Sequence, residues 1–99
     1  AEALRDVERL GELFARVIEE LDLQTLHEPA WHVFPGHRGV TGFVMLTESH
    51  LACHTYPEHG FVALNLYCCR PRPDWPWEER LATLLGATDI RVRKVERGR

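Results

Sequence analysis

The sequence predicts an α+β fold, a mostly antiparallel sheet with two helices on one face. Three observations carry the prediction. The chain opens on a helix-periodic stretch, three strand-like runs joined by short turns fill its middle, and a second capped helix follows them.

In the opening stretch, residues 2–23, Leu4, Val7, Leu10, Phe14, Val17, Ile18 and Leu21 recur at three- and four-residue spacing with Glu and Arg between them. That is the pattern of an amphipathic helix. Residues 25–34 (TLHEPAWHVF) form a strand candidate interrupted by Pro29, and PGHRG at 35–39 is a turn or loop by its Pro and Gly content. Strand-like runs then cover residues 40–47, 51–56 and 61–69, the last two joined by Pro57, Glu58, His59 and Gly60. Connections this short make the strands antiparallel neighbours. Asp74 can cap a helix with Pro76 near its first turn, running to Leu85 and stopped by Gly86. Residues 89–96 alternate Ile90 and Val92 with Arg91 and Arg93, which predicts a final strand, and the charged residues 94–99 read as a solvated end.

The run at 61–69 has one apolar face, Val62, Leu64, Leu66 and Cys68, which suits the helices. Its other face, Phe61, Ala63, Asn65, Tyr67 and Cys69, is too aromatic for plain water and too polar for a plain core. Packing it on the same face of a second copy resolves the conflict and gives an αββα sandwich in a homodimer. A partly exposed sheet face with scattered aromatics is the simpler alternative.

At 99 residues, 44% apolar and 27% charged, the chain is expected to form one domain, 1–99. A domain of this size buries only about two-thirds of its unfolded surface, so an oligomer would help it. A net charge of −3 gives no broad basic surface for a nucleic acid. There is no apolar run of the ~20 residues that span a bilayer, and no charged-then-apolar leader. The expectation is a cytoplasmic protein without nucleic-acid or membrane partners. Three cysteines, two of them the neighbours Cys68 and Cys69, argue against a disulfide framework, and the six histidines lack zinc-ligand spacing.

The stretch LTESHLACHTYPEHG, residues 46–60, concentrates Glu48, Ser49, His50, Cys53, His54, Glu58 and His59 in a segment that otherwise reads as strand. A serine at a bend beside a strand is the minimum for an intramolecular N-to-O acyl shift. The hydroxyl attacks its own upstream peptide and an ester forms. Loss of the α-proton then cleaves the chain and leaves dehydroalanine, which hydrolyses to a pyruvoyl group. Such a step needs a base, and His54 is the imidazole that lies near in sequence.

Residues 39–69, GVTGFVMLTESHLACHTYPEHGFVALNLYCC, resemble the core of the small prokaryotic S-adenosylmethionine decarboxylases. That family reads Gly-Val-Ser/Thr-Gly, then Glu-Ser-His, then His-Thr-Trp-Pro-Glu, then a strand ending in Cys. The resemblance implies a self-cleaving, pyruvoyl-dependent carboxy-lyase that decarboxylates S-adenosylmethionine (AdoMet) for polyamine and spermidine synthesis, with no pyridoxal phosphate and no metal. It implies cleavage between Glu48 and Ser49, with Ser49 becoming the pyruvoyl group that forms a Schiff base with the substrate amine. On the same basis His54 is the processing histidine, Thr41 the hydroxyl that assists the ester step, and Cys69 the proton donor. Glu58 falls on the carboxylate that holds the ribose hydroxyls, and Phe34, across a one-residue loop insertion, on an aromatic that stacks on adenine. Tyr56 stands where the family has Trp. Family members are dimers with sites near the subunit interface.

Asn65 replaces a family Asp, and Cys68, Cys69 and Arg70 replace Thr-Cys-Gly. An amide for a carboxylate and an added arginine keep ornithine and arginine open as substrates, Glu58 then pairing with a cationic side chain. A non-catalytic α+β binding or regulatory homologue fits the composition equally, and a Cys69–His54 hydrolase lacks any orienting third group. His27, His32, His37 and His59 read as surface or loop residues, and Trp75 and Trp77 as packing for the second helix.

Overall fold

The computed structural model describes residues 2–68 and 74–93. A single 3-10 turn at Glu2–Arg5 precedes helix α1, Val7–Glu20. The predicted continuous helix is broken here by Asp6, whose side chain accepts hydrogen bonds from the Glu8 and Arg9 amides at 3.0 and 3.3 Å and so starts α1. The apolar stripe of α1 is Leu10, Leu13, Phe14 and Val17, all buried.

Four strands follow: β1 Ala30–Val33, β2 Val40–Met45, β3 Ser49–Tyr56 and β4 Phe61–Cys68. They pair antiparallel in the order β1-β2-β3-β4, as short connections require. The candidate strand at 25–34 is confined to its last part, where Pro29 no longer interferes, and Thr25 makes a separate bridge to Leu46. Helix α2, Trp77–Leu85, begins from Pro76 rather than from the expected Asp74 cap, and Gly86 closes it at φ +71°. Residues 89–93 form no strand among the described residues, although Ile90 packs on the core. No strand pairs with 89–93 among the described residues, and alternation without a ladder partner does not make a strand. The rest of that predicted strand, 94–96, lies outside the described residues.

Both helices cover one face of the sheet, where Val40, Val44, Leu51 and Cys53 are buried beneath Leu10, Leu13, Phe14, Leu81 and Leu85. Val62, Leu64, Leu66 and Cys68 of β4 pack against this core, as their alternation predicts. Glu20 fastens α1 to α2: Trp75 Nε1 donates to Oε1 at 2.8 Å, and Arg80 Nε and Nη2 donate to its two oxygens at 3.2 and 2.9 Å. Trp75 is buried and meets Trp77 edge to face, the packing role expected of that pair.

The other face of the sheet is open. Phe43, Met45, Tyr56, Phe61 and Tyr67 are each 40–55% exposed on it, next to His50, His54 and Asn65. This is the mixed aromatic and polar face that the alternation of β4 predicts.

Candidate functional site

Thr41 and His54 are partners in the β2–β3 register, on the open face. Direct opposition brings Thr41 Oγ1 within 3.2 Å of His54 Nδ1, a hydrogen bond in which the tautomer decides the donor. Beside this pair lies a cleft of about 350 Å³ lined by Phe34, Pro35, His37, Gly39, Thr41, His54, Thr55, Tyr56 and Glu58. Five residues singled out in the sequence, Phe34, Thr41, His54, Tyr56 and Glu58, thus meet around one opening. Glu58 is the carboxylate among its lining residues; it sits in the 3-10 turn Pro57–His59 that links β3 to β4. Phe34 is half-exposed and meets His32 edge to face at 4.4 Å.

The frame of the cleft is a set of hydrogen bonds centred on Thr55. Its hydroxyl donates to the Leu4 carbonyl at 2.7 Å and accepts from the Val40 amide at 2.8 Å, joining the N-terminal turn to β2 and β3 in the interior. Arg5 Nε donates to the His37 carbonyl at 2.8 Å, and the Phe34 amide donates to the Gly39 carbonyl at 2.8 Å, which closes the loop between β1 and β2. Gly39 has no room for a side chain: a Cβ would lie 2.7 Å from the Thr55 carbonyl oxygen.

Ser49 is at the other end of β3. It is the first residue of the strand, half-buried, and the Leu46 amide donates to its carbonyl at 2.9 Å across the turn that carries Glu48. The same turn is held from outside by the Thr47 amide donating to the Gln24 carbonyl at 2.9 Å. The bend expected at Ser49 thus lies just before it, and Ser49 and His50 themselves belong to β3. Five residues of extended chain separate Ser49 from His54, about 16 Å at strand pitch. Nearness in sequence does not become nearness in space here, because a strand is the most extended path between two residues. By alternation, Ser49 shares the helix-covered side with its cross-strand partner Cys68, while His50 and His54 share the open side.

Cys69, the expected proton donor, lies outside the described residues. Cys53 and Cys68 are free thiols. Cys53 is buried, and burial pushes its thiol from 9.0 up to about 11, only partly opposed by a hydrogen bond from the Gly42 backbone. It is an inert core side chain. Sequence reasoning missed the loop residues Pro35, His37 and Gly39 and the hub Thr55. The Gly-Val-Thr-Gly run at 39–42 was the available signal, since both of its glycines prove to be sites of close approach.

The fold and site together describe a small α+β protein with a cleft on the open side of its sheet and a serine at a strand-opening turn. The model of the S-adenosylmethionine decarboxylase family matches residues 1–98. Proteins named S-adenosylmethionine decarboxylase proenzyme from Moorella thermoacetica and Carboxydothermus hydrogenoformans are 33% and 36% identical to this chain over 99 residues, covering 98% of it and 77% and 76% of themselves. A protein of the same name from Thermotoga petrophila is 44% identical over 63 residues, 62% of this chain and 48% of its own. The chain belongs to the S-adenosylmethionine decarboxylase family.

Proposed function

We propose that this chain is a self-processing decarboxylase of AdoMet that works as a homodimer, each copy forming one domain over residues 1–99. The observation that supports it best is the gathering of Phe34, Thr41, His54, Tyr56 and Glu58 around one cleft. Aromatic faces for a purine, a carboxylate for vicinal hydroxyls and a hydroxyl–imidazole pair for proton movement are what such a substrate needs. The relatives reported above all carry the AdoMet name, which favours that substrate over ornithine or arginine and a catalytic chain over a non-catalytic homologue.

Self-cleavage begins with Ser49 Oγ attacking the Glu48 carbonyl carbon; the peptide C–N bond breaks, the freed residue 49 amine takes up the hydroxyl proton, and Glu48 is left as an ester on Oγ. His54, held by Thr41, takes the α-proton of residue 49, and the bond to the ester oxygen breaks, releasing Glu48 as a carboxylate. The local structure fits this: the scissile bond is in a tight turn, and a cut there leaves every residue of β3 in its ladder. The dehydroalanine left at residue 49 tautomerises to an imine and takes up water with loss of ammonia, and the resulting pyruvoyl group would supply the carbonyl that takes up the electron pair released with carbon dioxide. Glu58 accepts from the ribose hydroxyls, Phe34 and Tyr56 cover the base, and Cys69 returns the proton.

His54 and Ser49 of one chain stand about 16 Å apart along the strand, so a second copy completes the site. Two open faces packed about a two-fold axis across the strands lay the cleft of one copy over the Ser49 end of the other. No helix among the described residues is long and apolar enough to cross a membrane, which accords with a cytoplasmic enzyme.

The test is denaturing intact mass after incubation with cyanoborohydride and, separately, AdoMet, ornithine or arginine, with the native mass measured alongside. Pieces 1–48 and 49–99, an AdoMet adduct on the second piece alone and a native dimer are expected. An uncut chain would overturn the enzyme reading, and an adduct only with ornithine or arginine would overturn the substrate.

A further inference from the structure

His50 completes the Glu-Ser-His run, yet the chemistry above gives it no part. Its ring lies between two others: Phe43 of β2 at 5.7 Å between centroids and 23° between planes, and Tyr67 of β4 at 5.9 Å and 24°. Both are within the offset-stacked range. Tyr67 is its direct cross-strand partner, and Phe43 lies diagonally across from it, opposite Ala52. The three rings form a ladder over the end of the sheet where β3 begins. Among the described residues the imidazole makes no hydrogen bond, so nothing there fixes its tautomer or passes a proton to it. Its planar faces are what the surroundings use.

We infer that His50 is a positioning residue for the chemistry at Ser49, acting as the middle rung of this ladder rather than as an acid or base. The inference rests on reading Ser49 as the site of self-cleavage. Before the cut, stacking on both faces fixes the rotamer of His50 and with it the backbone next to the attacking hydroxyl. After the cut, Ser49 is the first residue of a new chain and His50 the second. The ladder then ties that end to both neighbouring strands, where an unanchored strand end frays.

The experiment is a time course of self-cleavage during cell-free synthesis of the full chain, read on denaturing gels and by intact mass across pH 6 to 8. His50→Ala is expected to slow cleavage by about tenfold, the rate equivalent of one or two ring contacts. His50→Phe, planar but without a titrating group, is expected to restore the rate to within about twofold with the wild-type pH profile. Should His50→Ala fail to fold, Phe43→Leu and Tyr67→Leu each remove one outer rung and are expected to slow cleavage by about threefold. Wild-type rates in the alanine variant or in both leucine variants would overturn the inference. So would a phenylalanine variant as slow as the alanine one, since that marks a need for the imidazole itself. A wild-type chain that stays intact would overturn the Ser49 reading, and the ladder's role with it.

Discussion

Replacing Gly42 with alanine puts a methyl group where Trp31 now lies. Gly42 and Trp31 are partners in the β1–β2 register, and the indole lies flat over the glycine on the helix side, packed on Phe14 at 4.9 Å. A Cβ on residue 42 would overlap Cζ3 of the indole and stand 2.6 Å from Cε3, whereas carbon atoms at ease keep about 3.5–4.0 Å. The indole must move by about 1 Å or turn away, giving up an aromatic pair worth about 0.5–1.5 kcal/mol and straining the neighbouring packing by about 1–3 kcal/mol. Alanine returns about 0.4–1 kcal/mol by narrowing the unfolded ensemble. The balance is a loss of about 2 kcal/mol, or a fall in Tm of roughly 8–16 °C for a domain of this size. Urea unfolding followed by tryptophan fluorescence measures it, with the m-value expected unchanged. Trp31→Leu in the Gly42→Ala background should recover part of the loss, because the two changes share one space. A Gly42→Ala chain with the wild-type midpoint would refute the claim that the indole occupies that position.

Two further outcomes follow from groups in the interior. Thr55→Val keeps the side-chain shape but leaves the Leu4 carbonyl and the Val40 amide without their partner, and is expected to cost about 1–3 kcal/mol in urea unfolding. The Cys53 thiol has a folded pKa of about 11 against an ordinary 9.0, so in that window the native state binds more protons than the unfolded one. Its contribution is whole below pH 9 and is lost as pH rises toward 11. Urea midpoints at pH 8 and pH 10.5 should therefore fall less in Cys53→Val than in the wild type.

The sequence periods carried α1, the core face of β4 and the antiparallel middle of the sheet, because burial on one side imposes an alternation that can be read directly. The cap at Asp6 was not read, because the apolar spacing runs through it and hides the break. Residues 48–50 were harder. They fall between the strand-like runs at 40–47 and 51–56 and so read as a bend, while the backbone of Ser49 and His50 belongs to β3. Thr41 and His54 could be paired once the β2–β3 register was known, and register depends on the turn between them. The residues at 35–39 left no periodic trace, since a loop is shaped by backbone closure and by contacts with Arg5, which is remote in sequence.

The turn between β2 and β3 also divides the molecule into near halves. On one side are α1, β1 and β2; on the other β3, β4 and α2. Scission at Glu48 would thus leave two polypeptides joined through the central strand pair and the α1–α2 contact, with no covalent link between them. Folding, until then a unimolecular event, would become an association whose equilibrium depends on concentration. The uncut chain would refold as a single molecule, whereas the processed one would have to find its complement. A heterodimer of fragments with a shared core would be trapped by its history, stable once made and slow to be remade in dilute solution.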